Sequence, residues 1–179
     1  MKTNVKKIAT MGVLTALSIV LMYVIRFPII PAAPYLKYEP ADIPMLIGAF
    51  LFGPLAGLAV TVVEATIQTL LFAEGGWVGL VMHIIATGTF VVTAGLIYKK
   101  MHDRKGAIIG LFCGTLAMTL IMVPLNLIIQ PNFYGVPLET VKSLLIPAII
   151  PFNLIKAGLN SVVTFIVYKS ISKVVQRIS

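Results

Sequence analysis

The chain has 179 residues, 59% of them apolar and 11% charged, with a mean hydropathy of +1.01. Soluble domains carry roughly 25% charged residues, so a large water-facing surface is excluded, and a cytoplasmic enzyme or nucleic-acid binder with it. The net charge of +8 fits a membrane protein with Lys and Arg gathered on one side, and the single cysteine, Cys113, excludes an intramolecular disulfide or a cysteine-based zinc site.

A spanning helix needs about 20 mostly apolar residues. Residues 8–25 form the first such run, without a charge. Lys2, Lys6 and Lys7 before it resemble a signal peptide, but Ala32–Ala33 is a weak cleavage site and five more apolar runs follow, so this is read as a retained helix. Residues 26–41 then carry Pro28, Pro31, Pro34 and Pro40, with Tyr35 and Tyr38 between them, which predicts a stiff, non-helical outer loop. Residues 43–73 are too many for one helix and few for two, and Phe52-Gly53-Pro54 predicts a break or turn inside them. Residues 78–98, 107–129 and 147–168 are clear spans, joined by a short connection at 99–106 and a longer outer loop at 130–146.

Positive charge decides the parity. With six spans, Lys2, Lys6, Lys7, Lys99, Lys100, Arg104, Lys105, Lys169, Lys173 and Arg177 share one side, and only Arg26, Lys37 and Lys142 face the other. That bias satisfies the positive-inside rule, whereas a five-span chain would put two basic clusters outside. The expected architecture is an all-α, single-domain bundle of six transmembrane helices over residues 1–179, with both termini cytoplasmic.

Polar residues inside spans cost free energy and need a reason. Asn153, Lys156 and Asn160 fall on one helical face, as do Thr115, Thr119 and Asn126 on the preceding span. Glu64 and Gln68 lie one turn apart, as do His83 and Thr87. Thr115 and Thr119 read as packing residues bonded to their own backbone, and His83 as a satisfied core histidine or a ligand contact. Glu64 reads as near an interface, paired with Lys156, or facing a ligand. Asn153 with Lys156 suits a ligand rich in acceptors better than mere interhelical glue. Trp77 belongs to the interfacial aromatic belt. Gly12 and Ala16 form a small-xxx-small pair that lets another helix approach, within the chain or from a partner. No phosphate-binding loop is present, so the chain does not hydrolyse ATP itself; no Ser/His/Asp constellation and no metal cluster is visible, and an enzyme is not expected.

Pro34-Tyr35-Leu36-Lys37-Tyr38-Glu39-Pro40-Ala41-Asp42-Ile43-Pro44, continuing through Phe50-Leu51-Phe52-Gly53-Pro54-Leu55-Ala56-Gly57, resembles the riboflavin-specific substrate-binding subunits (S components) of energy-coupling factor (ECF) transporters. Ile150-Pro151-Phe152-Asn153-Leu154-Ile155-Lys156-Ala157-Gly158 is similar to the last helix of that family. The resemblance implies a small subunit in a prokaryotic cell membrane that captures riboflavin from outside, with no cofactor of its own. It delivers the vitamin with a transmembrane coupling subunit and two ATPases. It also implies flavin contacts at Asn126, Asn153 and Lys156 and around Tyr35, Leu36 and Lys37, and docking of the coupling subunit at Gly12 and Ala16. The chain departs from the family pattern at His83, where relatives tend to carry Asn, and at Glu64, where they tend to carry a basic or neutral residue.

Riboflavin joins an apolar tricycle, an imide edge and a hydroxylated tail, so a mostly apolar pocket with a few amides and one cation suits it. In this reading Asn153 and Lys156 meet the imide edge, Asn126 and Gln68 the ring edge or tail, and Tyr35 or Tyr38 closes the top. Flavin mononucleotide needs in addition a roomy or basic mouth for its phosphate. The alternatives are the same scaffold for pyridoxine, thiamin or a queuosine precursor, a self-sufficient proton-coupled carrier using Glu64 and His83, and a structural membrane subunit without a ligand.

Overall fold

A computed structural model of the chain describes residues 2–31, 33–72 and 75–178, with side chains described between 5 and 171. Ala32 and Glu74, and the side chains of Lys2, Lys173 and Arg177, lie outside the described residues. The elements in order are α1 (Lys2–Val24), β1 (Phe27–Pro28), β2 (Lys37–Tyr38), α2 (Asp42–Phe52), α3 (Pro54–Phe72), α4 (Gly76–Met101), α5 (Arg104–Phe133), α6 (Leu138–Leu144), a π-helical segment (Leu145–Ile149) and α7 (Ile150–Ile178).

Five helical stretches are long and apolar enough to cross a membrane, at Val5–Val24, Pro54–Phe72, Gly76–Met101, Arg104–Phe133 and Leu138–Ile171. The eleven residues of α2 rise only about 16 Å, too little for a hydrocarbon core of about 30 Å. Its residues from Asp42 to Phe50 are all buried, packed against α1, α3, α4 and α7. This short enclosed helix explains why residues 43–73 are too few for two full spans.

The break falls at Gly53, whose φ of +92° and ψ of 166° belong to a region that only glycine occupies without strain. Pro54 then opens α3 at a position where its missing N–H costs nothing. Close approach across this turn depends on Gly57: a Cβ there would stand 2.5 Å from Val91 Cγ1 and 2.6 Å from Ala49 Cβ. The α4–α5 connection shortens to His102 and Asp103, where the Asp103 carboxylate accepts from Gly106 N–H at 2.6 Å and caps α5.

The first outer loop is non-helical as expected, and within it Phe27 pairs with Tyr38 and Pro28 with Lys37 in a small antiparallel ribbon. One expectation needs correction. The expected loop at 130–146 is mostly helical: α5 continues to Phe133, only residues 134–137 are open, and α6 follows. Gln130-Pro131-Asn132 looks like turn chemistry, but proline's fixed φ is compatible with a helix, and membrane helices tolerate the lost hydrogen bond. Asn132 Nδ2 donates back to Ile128 O at 2.6 Å and holds the last turn.

The basic clusters share one end of the bundle. Lys7 stands 6.0 Å over the Phe52 ring, while Phe50 stacks on Tyr98 at 4.3 Å and Tyr98 meets Tyr168 edge-on at 5.9 Å. These contacts bring together the start of α1, the ends of α2 and α4, and the late turns of α7.

Candidate ligand cavity

At the opposite end lies a cavity of about 600 Å³, within the roughly 300–1,000 Å³ usual for small-molecule sites. The first outer loop supplies Arg26, Tyr35, Leu36, Lys37 and Glu39 to its wall. From α3 come Gln68, Thr69 and Phe72, and from α4 come Met82 and His83. Met122, Asn126, Gln130 and Tyr134 belong to the α5 side, and Phe152 to α7. The wall is therefore apolar over Leu36, Phe72, Met82, Met122 and Phe152, with polar side chains from the first outer loop, α3, α4 and the α5 side between them.

Two of the wall residues, Gln68 and Arg26, meet at Glu39, where Lys156 joins them from α7. Gln68 Nε2 donates to both of its carboxylate oxygens, at 3.2 and 3.1 Å. Lys156 Nζ lies 3.3 Å from Oε1 and Arg26 Nε 3.4 Å from Oε2. Burial by itself pushes the Glu39 carboxyl upward, but Lys156 foremost, with His83, Arg26 and the Gln68 hydrogen bond behind it, holds it below the usual carboxylate range. Asn160 Nδ2 donates to the Glu39 carbonyl at 3.2 Å and to Asp42 Oδ2 at 2.9 Å, and Thr87 Oγ1 reaches Asp42 Oδ1 at 3.4 Å. Asp42 stands in the first turn of α2, where the helix dipole favours an anion. The loop, α2, α3, α4 and α7 are thus tied together by buried polar contacts.

Five of the residues expected at a ligand lie in the wall: Tyr35, Leu36, Lys37, Gln68 and Asn126. Asn126 Nδ2 donates to Met122 O at 2.8 Å, and its Oδ1 accepts from Gln130 Nε2 at 3.5 Å. Asn153, Lys156 and Asn160 share one buried face of α7 as expected. Lys156 reaches the cavity through Glu39, however, and Asn153 Nδ2 donates to Ile149 O at 2.7 Å. Tyr38 does not close the top: it is buried, with its hydroxyl donating to Asn160 Oδ1 at 3.0 Å, so of the two tyrosines Tyr35 is the one at the cavity.

The ion pair of Lys156 is with Glu39, while Glu64 faces His83, whose Nε2 stands 3.7 Å from Glu64 Oε2. His83 is no satisfied core histidine, because it lines the cavity and its Nε2 has no hydrogen-bond partner among the described residues. Thr119 bonds its own helix at Thr115 O as expected, whereas the Thr115 hydroxyl pairs instead with Ser161 Oγ on α7 at 3.1 Å. Trp77 is exposed and packs edge-on against Phe133. Gly12 and Ala16 are exposed and floor a shallow apolar groove between α1 and α3, and a Cβ on Gly12 would meet nothing within 4 Å.

Sequence pattern does not single out Arg26, Glu39, Gln130 or Tyr134. One signal was present: Lys156 inside a span demands a counter-charge, and Glu39 is one of only six acidic residues. Tyr134 closes the α5 side of the mouth by donating its hydroxyl to Gly75 O at 2.9 Å.

Residues 6–168 match the family described as ECF transporter, substrate-specific component. Riboflavin transporter RibU of Staphylococcus aureus (strain TCH60) is 34% identical over 179 residues, covering 97% of this chain and 94% of that protein. Riboflavin transporter FmnP of Bacillus subtilis (strain 168) is 31% identical, covering 92% and 91%. A solved structure, described as the S component of a bacterial ECF transporter, is similar with a TM-score of 0.79 at 33% identity, covering 95% of this chain and 97% of that one. These relatives are named as transporters, not enzymes. With the family match running from α1 into α7 and the same fold in a solved relative, the chain belongs to the substrate-specific components of ECF transporters.

Proposed function

We propose that this chain is the riboflavin-binding membrane subunit of an ECF transporter, taking the vitamin from outside a prokaryotic cell and passing it inward with a coupling subunit and two ATPases. The observation that carries this reading is the cavity, mostly apolar with a polar focus at Glu39 and open at the end away from the basic clusters. By the positive-inside rule those clusters face the cytoplasm, so both termini are cytoplasmic and the cavity faces outward. The short helix α2 counts as the sixth membrane element, buried by its neighbours rather than spanning by itself.

The isoalloxazine lies against Leu36, Met82, Met122 and Phe152, with Tyr35 over it and Lys37 at the mouth. Gln68 and Asn126 offer amides to the ring edge or tail. Asn153 and Lys156 reach the imide edge from α7, with Lys156 sharing its ammonium between Glu39 and a flavin carbonyl. Such sharing is feasible because an ammonium has three donors. The exposed groove at Gly12 and Ala16 receives a helix of the coupling subunit, since small residues let backbones approach where no hydrophobic force drives association.

Fluorescence titration of riboflavin against purified, ligand-stripped protein in detergent tests this, with flavin mononucleotide, thiamin and pyridoxine as competitors. Flavin mononucleotide belongs in the panel because Arg26 and Lys37 stand in the wall. Stoichiometric quenching unaffected by thiamin and pyridoxine is the expected result. A folded sample that leaves flavin fluorescence unchanged would sink the assignment.

A further inference from the structure

His83 in the cavity wall and Glu64 buried behind it form a titratable pair to which the reading above gives no role. Glu64 on α3 is fully buried, and neither of its carboxylate oxygens has a hydrogen-bond partner among the described residues. Leaving such a group unpaired is costly, so the nearest complementary side chain is its natural partner. That side chain is His83, with Nε2 3.7 Å from Oε2, about half an ångström beyond hydrogen-bond range. Glu64 is absent from the wall of the cavity while His83 belongs to it. The histidine therefore stands between a buried acceptor and the space a ligand would fill.

We propose that His83 is a ligand-contacting residue that accepts a hydrogen bond from a donor on the bound flavin, with Glu64 as the residue that positions it. This rests on the riboflavin reading above. With a carboxyl oxygen of Glu64 as the acceptor beside it, the imidazole carries its proton on Nε2. Nδ1 is then the ring's remaining polar atom and carries a lone pair. A flavin has two kinds of donor to give it, the imide N–H and the hydroxyls of the ribityl tail. Without the carboxylate the tautomer and ring orientation are no longer imposed, and the same histidine reads the ligand less selectively.

The test compares dissociation constants for riboflavin, 3-methylriboflavin (which lacks the imide N–H) and lumiflavin (which lacks the hydroxylated tail). In His83→Ala the affinity for riboflavin should fall about tenfold, the scale of one hydrogen bond. The analogue without the donor that His83 reads should keep its wild-type affinity. Unchanged binding of 3-methylriboflavin assigns the contact to the imide, and unchanged binding of lumiflavin assigns it to the tail. A common shift for all three ligands, or no shift, overturns the proposal. His83→Leu serves if His83→Ala is not recovered folded, and the ratio between ligands on one preparation does not depend on its folded fraction.

Glu64→Leu should lower the same ratio, and the double variant should be no worse than His83→Ala alone. Glu64→Gln, whose amide oxygen still accepts from Nε2–H, should keep the ratio. Additive losses in the double variant overturn the positioning role. Wild-type protein that fails to bind riboflavin overturns the function and this inference together. Normal wild-type binding with flat ratios overturns this inference alone.

Discussion

Lys156 and Glu39, 117 residues apart in sequence, form a buried ion pair with Nζ 3.3 Å from Oε1. The pair fastens the first outer loop to α7 beside the cavity. Its surroundings, two hydrogen bonds from Gln68 and an ion pair with Arg26 on the same carboxylate, make it a shared junction for the loop, α3 and α7.

Removing one partner leaves a buried charge. Lys156→Ala should lower thermal stability by about 3–5 kcal/mol equivalent and weaken riboflavin binding, with membrane insertion intact. Asn153→Ala should weaken binding with little loss of stability, because its side-chain amide bonds the Ile149 carbonyl of the preceding turn. Titration and thermal melts in detergent separate the two effects, and unchanged affinity in both variants removes these residues from the site.

Acid should act on the same junction. The Glu39 carboxyl is held below its ordinary range, so as pH falls the unfolded chain takes up the proton first. The stabilisation is complete above the unfolded value of about 4.5 and is lost as pH passes down through the lower native value. The difference in melting temperature between wild type and Glu39→Gln should stay constant from neutral pH to about 5 and shrink below about 4. A difference that grows on acidification would contradict this.

The groove on α1 is open. Replacing Gly12 or Ala16 with Trp should abolish co-purification with the coupling subunit while riboflavin affinity stays within about twofold, since both residues are exposed and remote from the cavity lining. Loss of flavin binding in these variants would mean that this face supports the site from within.

Gly53→Ala should destabilise the protein by roughly 1–3 kcal/mol, because φ of +92° with an extended ψ is strained for any side chain. Nothing stands within 4 Å of the added Cβ, so the loss would come from backbone conformation alone. A melt unchanged from wild type would refute that account.

Tyr134→Phe should raise the riboflavin dissociation rate by up to about tenfold, in line with one hydrogen bond of 0.5–1.5 kcal/mol at the mouth, and leave the melting temperature nearly unchanged. Stopped-flow release measurements read this directly.

Much of the architecture was legible in the chain because a bilayer imposes local rules. Apolar length marked the long helices, Gly53-Pro54 marked the break, and the spacing of Asn153, Lys156 and Asn160 placed them on one face. The outer loop expected over residues 130–146 was read too long, because α5 absorbs Pro131 near its end and runs on to Phe133.

What the sequence by itself determined was therefore the class, the approximate helices, the polar residues that need a partner, and the small-residue face of α1. Only the tertiary structure decided which partner each took. Glu39 rather than Glu64 meets Lys156, Glu64 turns to His83, and Tyr38 leaves the mouth for Asn160. The physical reason is that helical periodicity reports which residues share a face but carries nothing about which faces meet. Pairings between residues tens of positions apart are set by how the helices and the outer ribbon pack around α2.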